Sequence, residues 1–315
     1  MLSCTEFIPL YSEFFKYLEK RGGKDAVMEY WFYISDNSIG DKSNPNSLAS
    51  FIEREGGFKG AISYWNHTLS EEACDILRVI DEKNRYCYEH MRHCPSRGML
   101  NSVSHIEPYH DYCEHCKVIY SRVLEKYGIV YERDHSKIDN AECSSILYER
   151  GNPPKGDFTV VDGEKTVYDM HADDNKYLHR DFHLLGDLAL LYCGEKFGDE
   201  AVVDFLYGFG LYYFAPLIER IKENGLSALR EHIESVYLKE EASDLITVFE
   251  SDNTLRVKIE KCPAIAYMAS LGKAPTKYYV EETRTLYRAI AEATGLSFTL
   301  SYYEPDGAAE LVFTK

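Results

Sequence analysis

The sequence predicts an α+β fold made of two tandem copies of one α-α-α-β-β-α-β-β unit. Three observations predict it. Short strings recur in the same order: Glu71-Glu-Ala-Cys-Asp-Ile-Leu77 returns as Glu240-Glu-Ala-Ser-Asp-Leu-Ile246, Cys94-Pro95 as Cys262-Pro263, and Leu124-Glu-Lys-Tyr-Gly128 as Ala291-Glu-Ala-Thr-Gly295. Within each copy, apolar residues at helical spacing come first and alternating segments follow in pairs. Helical runs followed by hairpins imply an antiparallel sheet covered by helices, whereas a doubly wound parallel sheet would need strict alternation.

The elements follow in order. In the first copy, Gly23-Lys-Asp-Ala-Val27 and Phe51-Ile-Glu-Arg54 match Gly198-Asp-Glu-Ala-Val202 and Leu217-Ile-Glu-Arg220 of the second, and the polar stretch Gly40 to Ser47 reads as an inserted loop. In the second copy, helices are expected over Lys176 to Lys196, Asp199 to Lys222 and Leu226 to Tyr237. Leu245 to Phe249 and Leu255 to Ile259 form a hairpin around Ser251-Asp-Asn-Thr254. A helix from Val280 to Thr294 ends at Gly295, which tolerates the left-handed cap. A second hairpin joins Leu296 to Tyr303 with Ala308 to Thr314 across Glu304-Pro-Asp-Gly307. The boundaries that result are 1–150 for the Cys/His-rich copy, 151–175 for a linker containing Asn152-Pro-Pro-Lys-Gly156, and 176–315 for the second copy.

Composition narrows the function. The chain has 315 residues, 35 Lys+Arg against 52 Asp+Glu, and a formal charge of −17. A phosphate backbone or an anionic membrane surface needs a basic patch, so neither is an expected partner. No apolar run approaches the ~18–20 residues that span a bilayer. Met1 to Leu10 lacks a basic start and a long apolar stretch, and therefore does not read as a signal peptide. The 9 cysteines, an odd number, read as cytoplasmic thiols or metal ligands rather than a disulfide framework. They are concentrated in the first copy: Cys4, Cys74, Cys87, Cys94, Cys113, Cys116 and Cys143 precede residue 150. No Gly-rich phosphate loop, Walker pattern or Gly-x-Ser-x-Gly elbow is present.

A strand ending in Cys94-Pro95, a helix opening near Tyr112-Cys113, a glycine and a strand, then a last strand carrying Cys143 resemble the L-2-amino-thiazoline-4-carboxylic acid hydrolase-like family, and more distantly the 4-vinyl-reductase-type ligand-binding domains. The second copy keeps Cys262-Pro263 but has Val280, Thr283 and Glu310 in place of Cys113, Cys116 and Cys143. Cys116 lies outside the pattern that carries the resemblance. The resemblance implies ring-opening C–N hydrolysis of a small heterocycle, or binding of a metal or tetrapyrrole-type ligand.

Two constellations carry candidate chemistry. Tyr109-His-Asp-Tyr-Cys-Glu-His-Cys116 holds His110, Cys113, His115 and Cys116, and on a helix His110, Cys113 and Cys116 would share a broad face. With Cys94 and Cys143 brought up by the sheet, these thiolate and imidazole groups suit a divalent metal, zinc foremost with iron or manganese as alternatives. Four protein ligands would make a closed structural site, and three would leave a position for activated water. The alternatives are a thiolate nucleophile with His110 or His115 as base, and inert buried thiols. The second constellation runs from His171 to His183. On a helix, His179 and His183 would present two imidazoles to one ligand, with Asp173, Asp174 and Asp181 as supporting carboxylates or simply as helix-cap residues. His90 and His93 flank the Cys94 strand end on opposite faces, and Asp134 with His135 could form an acid–base pair. The Tyr-rich segments Glu29 to Tyr33 and Asp204 to Phe214 suit either a pocket for a polar ring compound or helix packing. The expected function is a metal-dependent hydrolase or lyase for a small cyclic compound, with His179, His183, Asp181 and His110 moving protons. The alternatives are a ligand-binding or sensor protein with structural zinc, and a carrier of an iron or tetrapyrrole cofactor. A small molecule is the expected partner, and self-association is left open.

Overall fold

The computed structural model describes residues 1–157, 159 and 164–315. The chain is α+β, as the sequence predicts. By contacts it divides into one unit of Leu18–His179 and another of Met1–Tyr17 with Arg180–Lys315. The boundary at Tyr17 falls inside α1 (Phe7–Ile34), whose helical dihedrals break at Gly22 and Gly23. Gly23 has φ 69°, the left-handed region that glycine enters without steric penalty.

In the unit Leu18–His179, α1 leads through a π-turn (Ser35–Ile39) and a polar loop to α2 (Leu48–Glu55). Ser47 caps α2 by accepting from the Ser50 amide at 3.1 Å. Next come α3 (Gly57–Ser70), β1 (Asp75–Asp81), β2 (Tyr86–His93), α4 (Pro95–Ser102), α5 (Glu114–Leu124), β3 (Ile129–Asp134), β4 (Cys143–Glu149) and β5 (Thr166–Met170). The sheet runs β3-β4-β2-β1-β5 with every neighbour antiparallel. β5 lies within the segment that the sequence reads as a linker, and residues 158 and 160–163 of that segment lie outside the described residues.

Strand alternation decides which residues meet the helices. The register aligns Arg78 with Glu89, Glu89 with Ser145, and Ser145 with Arg133, so one row crosses four strands on one face. Tyr131, two residues from Arg133 and on the same face, contacts the rings of Trp65 from α3 and Tyr120 from α5. This is therefore the covered face. Its apolar part includes Ile76, Ile80, Leu147 and Ile129, all buried.

The unit Met1–Tyr17 with Arg180–Lys315 contains α6 (Asp181–Phe197), α7 (Asp199–Tyr213), α8 (Ala215–Asn224), α9 (Leu226–Lys239), β6 (Ile246–Glu250), β7 (Thr254–Ile259), α10 (Pro263–Ser270), α11 (Tyr279–Thr294), β8 (Ser297–Tyr303) and β9 (Ala309–Thr314). Its sheet is ordered β6-β7-β9-β8. In both units the strands that follow the helical run are thus ordered first, second, fourth, third. Both hairpins fall where alternation placed them, and Gly295 takes φ 73° at the end of α11. Gly128, its counterpart in the sequence comparison, takes φ 71°.

Three expectations are corrected. The helix read over Lys176 to Lys196 starts only at Asp181, leaving Lys176–Arg180 outside it. The helix read over Asp199 to Lys222 is two, because Pro216 has no N–H to continue α7 and instead sits in the first turn of α8. Each Cys-Pro pair also opens a short helix, α4 or α10, that the unit pattern omitted. The Tyr-rich segments go largely into packing: Tyr30, Trp31, Phe205 and Phe209 are buried, and the Tyr207 hydroxyl donates to Glu292 at 2.7 Å. Among the described residues no single helix is long and apolar enough to cross a membrane. α7 and α8 pass that test only as a pair bent by 63°.

The buried row makes a stability prediction. Arg78 Nε donates to Glu89 at 2.9 Å with side-chain exposures of 2% and 6%, and Ser145 Oγ donates to the other carboxylate oxygen at 2.6 Å. Glu89→Leu strands a guanidinium in the core and is expected to cost roughly 3 kcal/mol in urea unfolding. Arg78→Met combined with Glu89→Leu should cost less than the sum of the single changes, because the second removes the stranded charge.

Candidate functional site

Four of the cysteines that the sequence singled out come together around Arg133, near the end of β3. Arg133 Nη2 donates to the Cys143 thiol at 2.7 Å and Nη1 to the Tyr131 hydroxyl at 2.7 Å. Its Nε is buried with no hydrogen-bond partner among the described residues. No carboxylate among the described residues pairs with it. The carboxylate on the same face, Glu89, is already held by Arg78 and Ser145. A guanidinium stays charged throughout the physiological range, so Arg133 is a half-buried cation without an acidic partner.

Local structure explains how the thiols reach it. Cys143 opens β4, diagonal to Arg133 across the β3–β4 ladder. Cys94 is the N-cap of α4, where Pro95 fixes the first turn and the thiol accepts from the Arg97 amide at 3.5 Å. Cys113 is the N-cap of α5, and Cys116 lies one turn into that helix. Burial raises the pKa of all four thiols, to about 12 for Cys113, while the Arg133 charge acts in the opposite direction on each. The resting groups are thiols, not thiolates.

His115 is buried on α5 and turns back along it. Its Nδ1 hydrogen-bonds to the Tyr112 carbonyl, an acceptor, so Nδ1 carries the proton. Nε2 is left as the base, 3.4 Å from the Cys116 thiol. Burial depresses the imidazole pKa to about 4, with the Arg133 charge acting in the same direction. Glu72, which follows α3, is within electrostatic reach of Cys116 and His115, and burial pushes its own pKa up.

The remaining predicted residues are placed elsewhere or bound otherwise. His110 lies in the turn before α5, not on it, so it does not share a helix face with Cys113 and Cys116. It is exposed, contacting Asp111 at 3.0 Å and Glu19 at 3.1 Å, and these carboxylates hold its pKa up. His179 precedes α6, so the expected helical pairing with His183 is not formed. His179 Nδ1 contacts Glu71 at 2.8 Å within its own unit, and His183 Nε2 contacts Glu240 at 3.0 Å within the other. Asp181, the first residue of α6, accepts from the Tyr267 hydroxyl at 2.8 Å. His90 contacts Glu142 at 2.8 Å, and His93 packs over Gly98 so tightly that a Cβ there would sit 2.2 Å from its ring. His135 contacts Glu114 at 3.0 Å, while Asp134 accepts from the Ser136 amide at 2.9 Å, so each has another partner. Among the described residues, no group of three or more His, Cys, Asp or Glu side chains is placed to hold a metal ion.

Sequence reading missed Arg133, Tyr131 and Glu72. The signal for the first two was the alternation Ile129, Tyr131, Arg133, which points a cation at the same face as two apolar residues. Comparison with family models, curated proteins and solved structures gives no match.

The depressed His115 pKa sets a pH dependence. An unfolded imidazole binds its proton near pH 6.5, and the folded one only near pH 4. Below pH 6.5 the unfolded chain therefore holds more protons, and stability falls as the pH drops from 6.5 toward 4 by up to roughly 3 kcal/mol. Melting temperatures measured between pH 7 and 5 should fall more steeply for the natural sequence than for His115→Gln.

Proposed function

We propose that the unit Leu18–His179 binds a small cyclic carboxylate at Arg133 and hydrolyses a C–N bond in it. The single observation that carries this reading is the Arg133 guanidinium, which faces four thiols with a buried, unpartnered Nε and no carboxylate of its own. A carboxylate ligand supplies the missing charge and accepts the parallel N–H bonds that a guanidinium offers. Resemblance to the L-2-amino-thiazoline-4-carboxylic acid hydrolase-like family supports the same substrate class and reaction.

The site favours an anion over a metal. A divalent ion bound by Cys94, Cys113, Cys116 and Cys143 would have to displace the Arg133 contact with Cys143 and tolerate a fixed positive charge beside it. In this reading the thiols supply a soft, weakly hydrated wall and the guanidinium supplies orientation.

L-Thiazolidine-4-carboxylate and its carboxamide separate the contributions. The carboxylate is expected to raise the melting temperature in a concentration-dependent way, and the carboxamide to do so far less. Arg133→Met should weaken carboxylate binding about 10- to 100-fold in calorimetric titration, the value of a charge-assisted hydrogen bond. Equal binding of acid and amide, or unchanged affinity in Arg133→Met, would overturn the reading. Dialysis against a chelator followed by elemental analysis tests the metal alternative, and carboxylate binding should survive that treatment unchanged.

A further inference from the structure

We propose that Cys116 is the nucleophile of this site and His115 is its base. This rests on the reading above for where the substrate sits, but its evidence is separate. Of the four thiols around Arg133, Cys116 alone has an imidazole nitrogen at hydrogen-bond distance, 3.4 Å. Cys143 is engaged by the guanidinium and Cys94 by a backbone amide. Adjacent residues on a helix ordinarily point about 100° apart. Here the His115 ring is drawn back by the Tyr112 carbonyl at its other nitrogen, which fixes both its tautomer and its direction. A nucleophile, a base and a third group orienting the base is the arrangement that activates a neutral thiol. Exposure is divided accordingly: His115 is buried at 8%, while Cys116 is half-buried. Cys116 also lies in the first turn of α5, where the helix dipole favours developing negative charge.

The reaction follows from these positions. Cys116 Sγ attacks the electrophilic ring carbon as its proton passes to His115 Nε2. The ring C–N bond breaks, and the departing nitrogen takes that proton from the imidazolium. Water then attacks the thioester or thioimidate carbon, giving its proton to Nε2. The C–S bond breaks, and the thiolate recovers the proton as Cys116–SH. One water is consumed and no electrons are exchanged, so no redox partner is required.

The probe is p-nitrophenyl acetate, a neutral acyl donor that makes no use of the Arg133 anchor. The intact chain should release a burst of p-nitrophenolate of about one equivalent and retain an acetyl group on Cys116, located by peptide mass mapping. Cys116→Ser should abolish the burst, and His115→Gln should slow it by about 100-fold or more. Acetylation confined to another residue, or an unchanged burst rate in folded His115→Gln, would overturn the assignment. If His115→Gln does not fold, the mapped position decides: acetyl on Cys116 supports the proposal and acetyl elsewhere sinks it. Carboxylate binding without a burst rejects the nucleophile alone. A burst on Cys116 without carboxylate binding rejects the anchor alone.

Discussion

Two guanidinium groups face the covered side of the sheet in Leu18–His179, and the carboxylate in their row, Glu89, is taken by one of them. Arg78 holds it, with Ser145 on its second oxygen, and this pair is as buried as the surrounding aliphatic core. Arg133 is left with a thiol, a phenol and an unused Nε. A low-dielectric face does not hold an unbalanced charge without penalty. The proposal that the site takes an anion rests on that imbalance, and strand register puts Arg133 at the end of the row.

The fold was largely legible because its signals are local. Alternation places β6 through β9 almost to the residue, and a glycine in the left-handed region closes α11. What escaped was set by single residues acting against a longer pattern. Pro216 divides an apolar run into α7 and α8. Lys176–Arg180 keep helical spacing but not helical structure, and His179 binds Glu71 there.

The site was legible in half. Sequence spacing gathered Cys94, Cys113, His115, Cys116 and Cys143, because two strand ends and a helix start bring them up together: Cys94 follows β2, Cys143 opens β4 and Cys113 caps α5. It also assumed that His110 would join them, although the helix begins too late for that. Counting metal-ligand residue types cannot see a guanidinium, and register brings Arg133 in among the thiols. The histidines outside the cluster mostly have carboxylate partners, Glu19, Glu71, Glu142 and Glu240, which is ordinary pairing in an acidic protein.

The central claim is that Arg133 draws a carboxylate up to the thiols. Iodoacetate and iodoacetamide are the same alkylating group with and without a carboxylate, so their relative rates at Cys94, Cys113, Cys116 and Cys143 report that attraction directly. Peptide-resolved kinetics should show iodoacetate favoured there by about tenfold or more over its ratio at free glutathione in the same buffer, with the excess lost in Arg133→Met. Equal ratios at the cluster and at free glutathione, or an excess that survives Arg133→Met, would contradict the account.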